Sequence, residues 1–579
     1  MAPQLRNDLM KILFEEYTYD YPYIREIGLC PYFFVSEDGN EVRIPYVGYC
    51  FSQEINDSIF ILPKVFLFEG EGNPDKKEIA FGKYRPDDII NLDDSDNPLK
   101  KDGFDRIVFG LSVWLYQALA RYQRRHPCNG IISDAKIQNV ISQKGDCQET
   151  YLDIILSLLR FDKEHRNLLT FITMVNSHGD NRIHWDKTVS RRSPLLRNGV
   201  PYYTEFRNRN KAVNHDEEII VLYYSVLNYL HKTYCFPFRP RFNYPLMSSG
   251  RIGSMIESGN ATRMLRRIRG KYFKDELVAL WRLLYTFFDK AENVAGRNYR
   301  EEALLVHSFN LVFEDMIDTL IGDDIMDVST LKDNRDGKRI DHIYEDRSLI
   351  EGSDIYFIGD SKYYSDDMDI QGESLYKQFT YAKNIIQYNI DIFNRDGDYP
   401  RHLRYRDELT EGYNITPNFF VRGQIRSRYI TGGKADCHDD GLESDRRSKP
   451  CNKHYRNRLF DRDTLMLQSY NINFLYVLSA YASCSADKHF KDKIRKRFRN
   501  DMIATFNKRY DFYILTPKEG VDLKMFVERY FKLLNGKVYR ASDSDGFLYL
   551  ALERDLSSEA RVIFDRIKDE VAMEKTTLA

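Results

Sequence analysis

The spacing of apolar residues predicts short strands near the start of the chain. Apolar runs rich in β-branched and aromatic residues, each bounded by Gly, Asp, Asn or Pro, occur at 33–35, 42–46 and 59–63. Over 105–122 the period changes, because apolar residues recur every three to four positions. That period is typical of an amphipathic helix, so the first part of the chain is expected to be mixed and β-leaning.

Helical patterns dominate the middle of the chain. Residues 216–230 open with acidic side chains and then keep an apolar stripe, and 277–288 form a second apolar stretch of helical period. Between them, the Asn- and Gly-rich stretch 243–261 is expected to be a connecting loop. The order helix, strand, strand, helix is predicted after residue 299, followed by a polar insertion and further strands.

These patterns predict an α/β (α+β) protein of several domains. A chain of 579 residues exceeds the size of one ordinary core, since domains average roughly 150 residues. We expect a β-leaning N-terminal region over 1–165, a mostly helical middle region over 166–298, and a C-terminal mixed domain over 299–579.

Composition excludes several classes of protein. Apolar residues make up 42% of the chain and charged residues 30%, which is typical of a globular protein. No apolar run approaches the roughly 18 residues of a membrane span, and the first residues lack a secretion signal. The 8 Cys are sparse and irregularly spaced, which favours reduced thiols and a cytoplasmic location.

The net charge is −2, but the charge is unevenly distributed and some segments are strongly basic. Residues 182–211 hold 8 Lys/Arg against 2 acids, and 263–274 hold 6 against none. Such segments suit contact with a polyanion and equally suit solvated surfaces. The candidate DNA-contacting residues in them are Lys187, Arg191, Arg192, Arg266 and Arg267.

The strongest chemical signal is a pair of acids with a lysine. Residues 354–364 read as a strand whose alternation places Asp360 and Lys362 on one face. Asp341 lies on a preceding strand-like segment, and a hairpin between the two would bring Asp341 beside Asp360. Two adjacent carboxylates repel each other unless a cation lies between them, and Mg²⁺ prefers such oxygen ligands. A nearby lysine can orient water or offset charge on a phosphate.

Two helices flank this pair. Glu314 borders the apolar stripe of a predicted helix over 309–322, where it could complete an acidic site. A helix starting near Ser374 carries Lys377 and, one turn later, Tyr381, with Gln378 beside them.

In this order the residues resemble the PD-(D/E)xK nucleases, and among them the LlaJI-type and McrC-type restriction subunits. Phe313-Glu314 is similar to the Leu-Phe-Glu of the McrC-type helix, and Ile340-Asp341 stands in place of Pro-Asp. Gly359 to Tyr364 resembles the Asp-Ala-Lys-Tyr strand, and Leu375 to Ala382 the Lys-Gln-x-x-Tyr helix of the LlaJI type. Trp185 to Pro194 is similar to a Trp-x-Lys/Arg-Thr motif followed by Pro.

The resemblance implies a restriction-endonuclease-like core and a deoxyribonuclease. It implies a Mg²⁺-dependent enzyme, with Mn²⁺ as a substitute, in which Asp341 and Asp360 hold the metal. Glu314, Lys362, Lys377 and Gln378 are the other catalytic candidates. The implied partners are double-stranded DNA and a separate AAA+ GTPase. This chain has no nucleotide-binding P-loop motif, since Gly432-Gly-Lys-Ala lacks the leading Gly and the Ser/Thr.

Two alternatives stay open at this point. The chain could be a non-catalytic adaptor that binds DNA or activates a motor on the same fold. Separately, Cys437, His438, Cys451 and His454 are zinc-ligand types, although two of them are adjacent and their loop is highly charged.

Overall fold

The computed structural model describes most of the chain between residues 11 and 578. The residues it leaves undescribed within that range are 30–39, 53, 56, 70–77, 92–95, 103, 127–150, 166–167, 178–181, 235–243, 296–302, 324–339, 351–353, 364–371, 394–403, 427–429, 432–433, 437–438, 445–455, 484–487 and 543–544.

The first described segment, 11–126, contains strands and α-helices in mixed order. The strands are β1 Lys11–Phe14, β2 Thr18–Asp20, β3 Glu41–Arg43, β4 Val47–Ser52, β5 Asp57–Leu62, β6 Leu67–Glu69 and β7 Glu78–Ala80. The α-helices are α1 Tyr21–Glu26, α2 Pro98–Lys101 and α3 Asp105–Arg125. The helix predicted from Asp105 and the strand predicted at 59–63 are confirmed, whereas the strand predicted at 33–35 lies outside the described residues.

The next segment, 151–295, is mainly helical. Its elements are α4 Tyr151–Glu164, β8 Phe171–Asn176, α5 Trp185–Arg191, β9 Leu195–Arg197, β10 Val200–Tyr202, β11 Asn208–Val213, α6 Glu218–Tyr234, α7 Ser249–Glu257, α8 Asn260–Ile268 and α9 Asp275–Ala295. None of the helices in the described part of the chain is long and apolar enough to span a bilayer.

The loop predicted over 243–261 is wrong for most of its length. Residues 249–257 form α7, whose N-terminus is capped by Ser248 through a hydrogen bond from the Arg251 amide. Ile252 is buried on the inner face, and Ile256 follows one turn later on that face. Glycines made this stretch resemble a loop, but Gly250 and Gly253 have open space around them and negative φ, so the helix tolerates them.

The remaining chain starts with β12 Ala303–Val306, α10 Phe309–Ile321, β13 His342–Arg347, β14 Asp354–Lys362 and α11 Gly372–Phe393. The strands that follow are β15 Arg406–Asp407, β16 Gly412–Tyr413, β17 Thr416–Gln424, β18 Ile430–Thr431, β19 Lys434–Ala435, β20 Glu443–Ser444, β21 Leu465–Asn473, β22 Tyr510–Pro517, β23 Val538–Tyr539, β24 Leu548–Glu553 and β25 Val571–Thr576. The helices among them are α12 Phe474–Ala482, α13 Lys488–Arg509, α14 Leu523–Leu534 and α15 Ser557–Ile567.

A five-stranded mixed sheet carries the predicted acidic pair. Its order is β13-β14-β17-β21-β20, with β14, β17 and β21 parallel and the two edge strands antiparallel. Helices α10 and α11 both contact β14. Gly359 allows β14 to lie close to β17, because a Cβ at that position would stand 2.3 Å from the Phe419 ring. The helix, hairpin and helix predicted here are confirmed.

The chain forms two compact units. One contains 151–295, and the other joins 11–126 to 303–578. In the second unit β12 pairs with β4 in the sheet β1-β5-β4-β12. The segment 11–126 therefore shares a unit with the strand that carries Asp360, which differs from the separate regions 1–165 and 299–579 expected from sequence. A further sheet, β23-β24-β22-β25, packs with α14 and α15 around a core of its own.

Candidate active site

The hairpin of β13 and β14 brings Asp341 beside Asp360. Its register pairs Arg347 with Asp354 at one end and His342 with Gly359 at the other. Asp341 directly precedes β13, so it lies opposite Asp360. The Ser361 amide donates a hydrogen bond to Asp341 Oδ2 at 3.0 Å. The juxtaposition predicted from the sequence is thus present.

Negative charge accumulates at this end of the hairpin. Burial raises the pKa of Asp341 well above its usual range, and the charges of Asp360 and Glu314 raise it further. The hydrogen bond from the Ser361 amide acts in the opposite direction without offsetting them. The ionised form of Asp341 is therefore poorly compensated by the protein alone, and a cation would relieve the repulsion.

Lys362 places its ammonium next to this charge. Its side chain forms an ion pair with Asp360, and both side chains are largely shielded from water, at 16% and 15% exposure. The ammonium also lies 5.5 Å from the centroid of the Phe420 ring. Because water screens a charge weakly in such surroundings, Lys362 can act strongly on an anion that approaches it.

Glu314 lies at the edge of the buried face of α10. Phe313, Met316 and Ile317 are buried, whereas Glu314 is half-buried. Its charge acts on Asp341, so the helix directs it toward the acidic pair. The structure therefore brings four predicted site residues together: Glu314, Asp341, Asp360 and Lys362.

The motif on α11 predicted Lys377 and Gln378 as catalytic candidates, but the structure gives Gln378 a structural contact. Lys377 is exposed, but Gln378 is buried, and its amide donates to the Ile358 carbonyl oxygen at 3.1 Å. Gln378 thus ties α11 to β14. Tyr381, which the sequence placed one turn after Lys377 without giving it a role, also lies near the pair: burial raises its pKa, and the charges of Asp341 and Asp360 raise it further.

A buried polar chain supports the pair from behind. His342 is fully buried; its Nε2 bonds to the Ser361 hydroxyl, and its Nδ1 lies 3.4 Å from Asp318 Oδ1 on α10. Adjacent residues of a strand point to opposite faces, so His342 faces away from Asp341 and links β13 to β14 and to α10.

The carboxylates of Asp341 and Asp360 suit a cation that needs few protein ligands. Among the residues the structure describes, no group of three or more His, Cys, Asp or Glu side chains is arranged to hold a metal ion. Asp360 Oδ2 is buried and makes no well-formed hydrogen bond; its polar neighbour is the Lys362 ammonium. Mg²⁺ commonly takes one or two carboxylates and completes its shell with water and phosphate oxygens, so Asp341 and Asp360 fit it.

The candidate DNA-contacting residues belong to the other unit. On α5, Lys187 and Arg191 are exposed, whereas Arg192 forms an ion pair with Glu205 at 2.6 Å. On α8, Arg266 and Arg267 are both exposed, and Arg266 also donates to the Tyr285 hydroxyl at 2.6 Å. Lys187, Arg191, Arg266 and Arg267 are therefore the candidates that the structure presents to solvent.

The basic helix α13 is bound to the protein itself. The Lys491 ammonium donates to the Gly322 carbonyl oxygen at 2.6 Å, and the Arg495 guanidinium donates to Ile321 and to Asp323. These groups cap the C-terminus of α10, which favours positive charge. The four zinc-ligand candidates, Cys437, His438, Cys451 and His454, lie outside the described residues.

Comparison with known proteins finds a family similar to the part of the chain that carries the site. Residues 157–396 match the family model of the LlaJI restriction endonuclease. That range contains the acidic pair, Lys362 and Glu314. This part of the chain is therefore similar to the LlaJI restriction endonuclease family, as the motifs predicted.

Among solved structures, the chain is similar to one from an assembly of Thermococcus gammatolerans McrB AAA+ hexamers with bound McrC. The identity is 12%, the match covers 84% of this chain and 100% of that chain, and the TM-score is 0.30. A TM-score this low supports no conclusion about this chain. No curated protein matches the sequence.

Proposed function

We propose that this protein is the Mg²⁺-dependent DNA endonuclease subunit of an NTP-dependent restriction system, of the PD-(D/E)xK type. The observation that carries the proposal is the convergence of Asp341, Asp360 and Lys362 at the end of one hairpin. That hairpin lies within the range that matches a restriction endonuclease family. The reaction is hydrolysis of phosphodiester bonds in double-stranded DNA.

Each site residue has a role in this proposal. Asp341 and Asp360 would hold Mg²⁺, which when bound supplies a Lewis acid for the scissile phosphate and a more acidic water. Lys362 stabilises the negative charge that develops on the phosphate, from a position where water screens it little. Glu314 completes the acidic site. Gln378 keeps α11 on β14, and Lys377 and Tyr381 lie beside the site.

The proposal includes a separate AAA+ GTPase partner and a cytoplasmic location. The partner is supported by the resemblance of the motifs to two-chain restriction systems, together with a sequence that has no P-loop of its own. The location is supported by the sparse, irregularly spaced Cys residues. Lys187, Arg191, Arg266 and Arg267 are proposed DNA contacts, because exposed cations form salt-sensitive contacts with phosphates.

The test is cleavage of plasmid DNA by the full chain with Mg²⁺, with and without GTP and the product of any neighbouring AAA+ gene. Asp360→Ala should abolish cleavage and leave DNA binding intact. Asp354→Ala is the matched control, since Asp354 lies at the other end of β14. Equal cutting by wild type and Asp360→Ala would contradict the site assignment. A wild type that stimulates the motor but never cuts would support the adaptor alternative.

A further inference from the structure

The segment 11–126 touches the two elements that carry Lys362 and Glu314. In each element the contact is made by the residue that directly follows the site residue. Tyr363 follows Lys362, and Asp315 follows Glu314. Successive side chains point to different faces of a strand or helix, so a contact that fixes one neighbour also fixes the direction of the other.

The first contact joins β14 to the end of β1. The Tyr363 hydroxyl donates to Glu15 Oε2, and the same oxygen accepts a hydrogen bond from the Lys64 amide at 3.1 Å. Glu15 and Tyr363 are both buried, at 4% and 6% exposure. The Tyr363 ring also packs against Phe309 of α10, with 5.2 Å between the ring centroids.

The second contact joins α10 to the end of α3. Asp315 is 9% exposed and lies 2.9 Å from His126 Nε2 and 3.4 Å from Arg125 Nε. The Tyr481 hydroxyl of α12 donates to the same carboxylate. Arg125, His126 and Tyr481 therefore fix the rotation of α10 about its axis. That rotation sets the direction in which the Glu314 side chain points.

Both contacts bury a carboxylate, which costs free energy unless its hydrogen bonds are satisfied. In several systems such buried polar groups specify one arrangement more than they add stability. From these contacts we infer that the segment 11–126 is a positioning scaffold for the nuclease site. It acts through Glu15 on Tyr363 and through Arg125 and His126 on Asp315. The inference rests on the proposed function, because it assumes that the site binds a divalent cation.

The test uses Tyr363→Phe, which removes the hydroxyl and keeps the ring packing. Asp315→Asn is the second variant, and it keeps the shape of the side chain. Glu16→Gln is the control: Glu16 neighbours Glu15 but forms an exposed ion pair with Arg43. For the full chain without its partner, Mn²⁺ binding is measured by titration calorimetry at a temperature well below the melting transition of every variant. The melting temperature is recorded alongside.

Tyr363→Phe and Asp315→Asn should each weaken Mn²⁺ binding by about tenfold, the lower end of what the loss of an outer-shell partner of a metal site costs. Glu16→Gln should bind Mn²⁺ like the wild type. Lower melting temperatures with unchanged Mn²⁺ affinity in both variants would overturn the inference, because the contacts would then only hold the fold together. A wild type that binds no Mn²⁺ would overturn the proposed metal site as well.

Discussion

Asp341→Asn should stabilise the protein in the absence of metal while it abolishes cleavage. The carboxylate of Asp341 is buried beside Asp360 and Glu314, and these surroundings raise its pKa. An acid whose pKa is raised on folding loses stability as the pH rises from its unfolded pKa, about 3.9, through its folded pKa. The full penalty is therefore present in the wild type at high pH, and the neutral amide removes it.

The expected gain at pH 8 is about 1–3 kcal/mol, the range by which a poorly satisfied buried polar group destabilises a protein. The amide oxygen of the substituted side chain could still accept the hydrogen bond from the Ser361 amide, so little is lost in return. The assay is thermal unfolding in EDTA between pH 5 and pH 8. The wild type should lose stability across this range, and the variant should lose less.

Asp407→Asn is the matched control, and its effect should have the opposite sign. Asp407 is fully buried but well satisfied, since it accepts hydrogen bonds from Arg404, from the Thr410 hydroxyl and from the Leu409 amide. Losing this charge should destabilise the protein by about 3–5 kcal/mol, as when a buried ion pair is broken. If Asp341→Asn destabilises the protein as Asp407→Asn does, or leaves the pH dependence unchanged, the electrostatic description of the site is wrong.

Three further predictions concern two glycines and the bond that holds α11. Gly359→Ala should lower the melting temperature markedly, because its Cβ would stand 2.3 Å from the Phe419 ring; an unchanged melting temperature would show that the two strands can move apart. Gly250→Ala should raise stability by about 0.5–1 kcal/mol, because Gly250 lies in α7 with open space around it; a loss in urea unfolding would contradict this. Gln378→Leu should slow cleavage and leave DNA binding unchanged, because it releases α11 from the Ile358 carbonyl; full cleavage by this variant in the plasmid assay would mean that the bond is dispensable.

The elements around the acidic pair could be predicted because their signals are local. The alternation of side chains predicted strand β14, a hairpin with the preceding strand-like segment was expected, and the apolar stripe of α10 placed Glu314 at its edge. A strand pair joined by a short connection fixes which side chains face each other. The juxtaposition of Asp341 and Asp360 could therefore be predicted from the alternation of β14 together with an assumed hairpin.

The contacts from the N-terminal segment could not be predicted in this way. Glu15 and Tyr363 are separated by 348 positions, and His126 and Asp315 by 189. No local period links such residues, and a Glu or a His in a mixed pattern gives no sign that it will be buried. The pairing of β12 with β4 also joins residues that are far apart in the sequence. The unit that joins 11–126 to 303–578 could therefore not be predicted from the sequence.

The most direct test of the central claim is the rate of DNA cleavage by Lys362→Ala compared with Lys383→Ala. Both lysines pair with an aspartate, but Lys362 does so with Asp360 in the site and Lys383 with Asp463 on the surface. With Mg²⁺, the AAA+ partner and GTP present, Lys362→Ala should cut at least about 100-fold more slowly and bind DNA normally, while Lys383→Ala should cut like the wild type. Cleavage by Lys362→Ala at the wild-type rate would contradict the account.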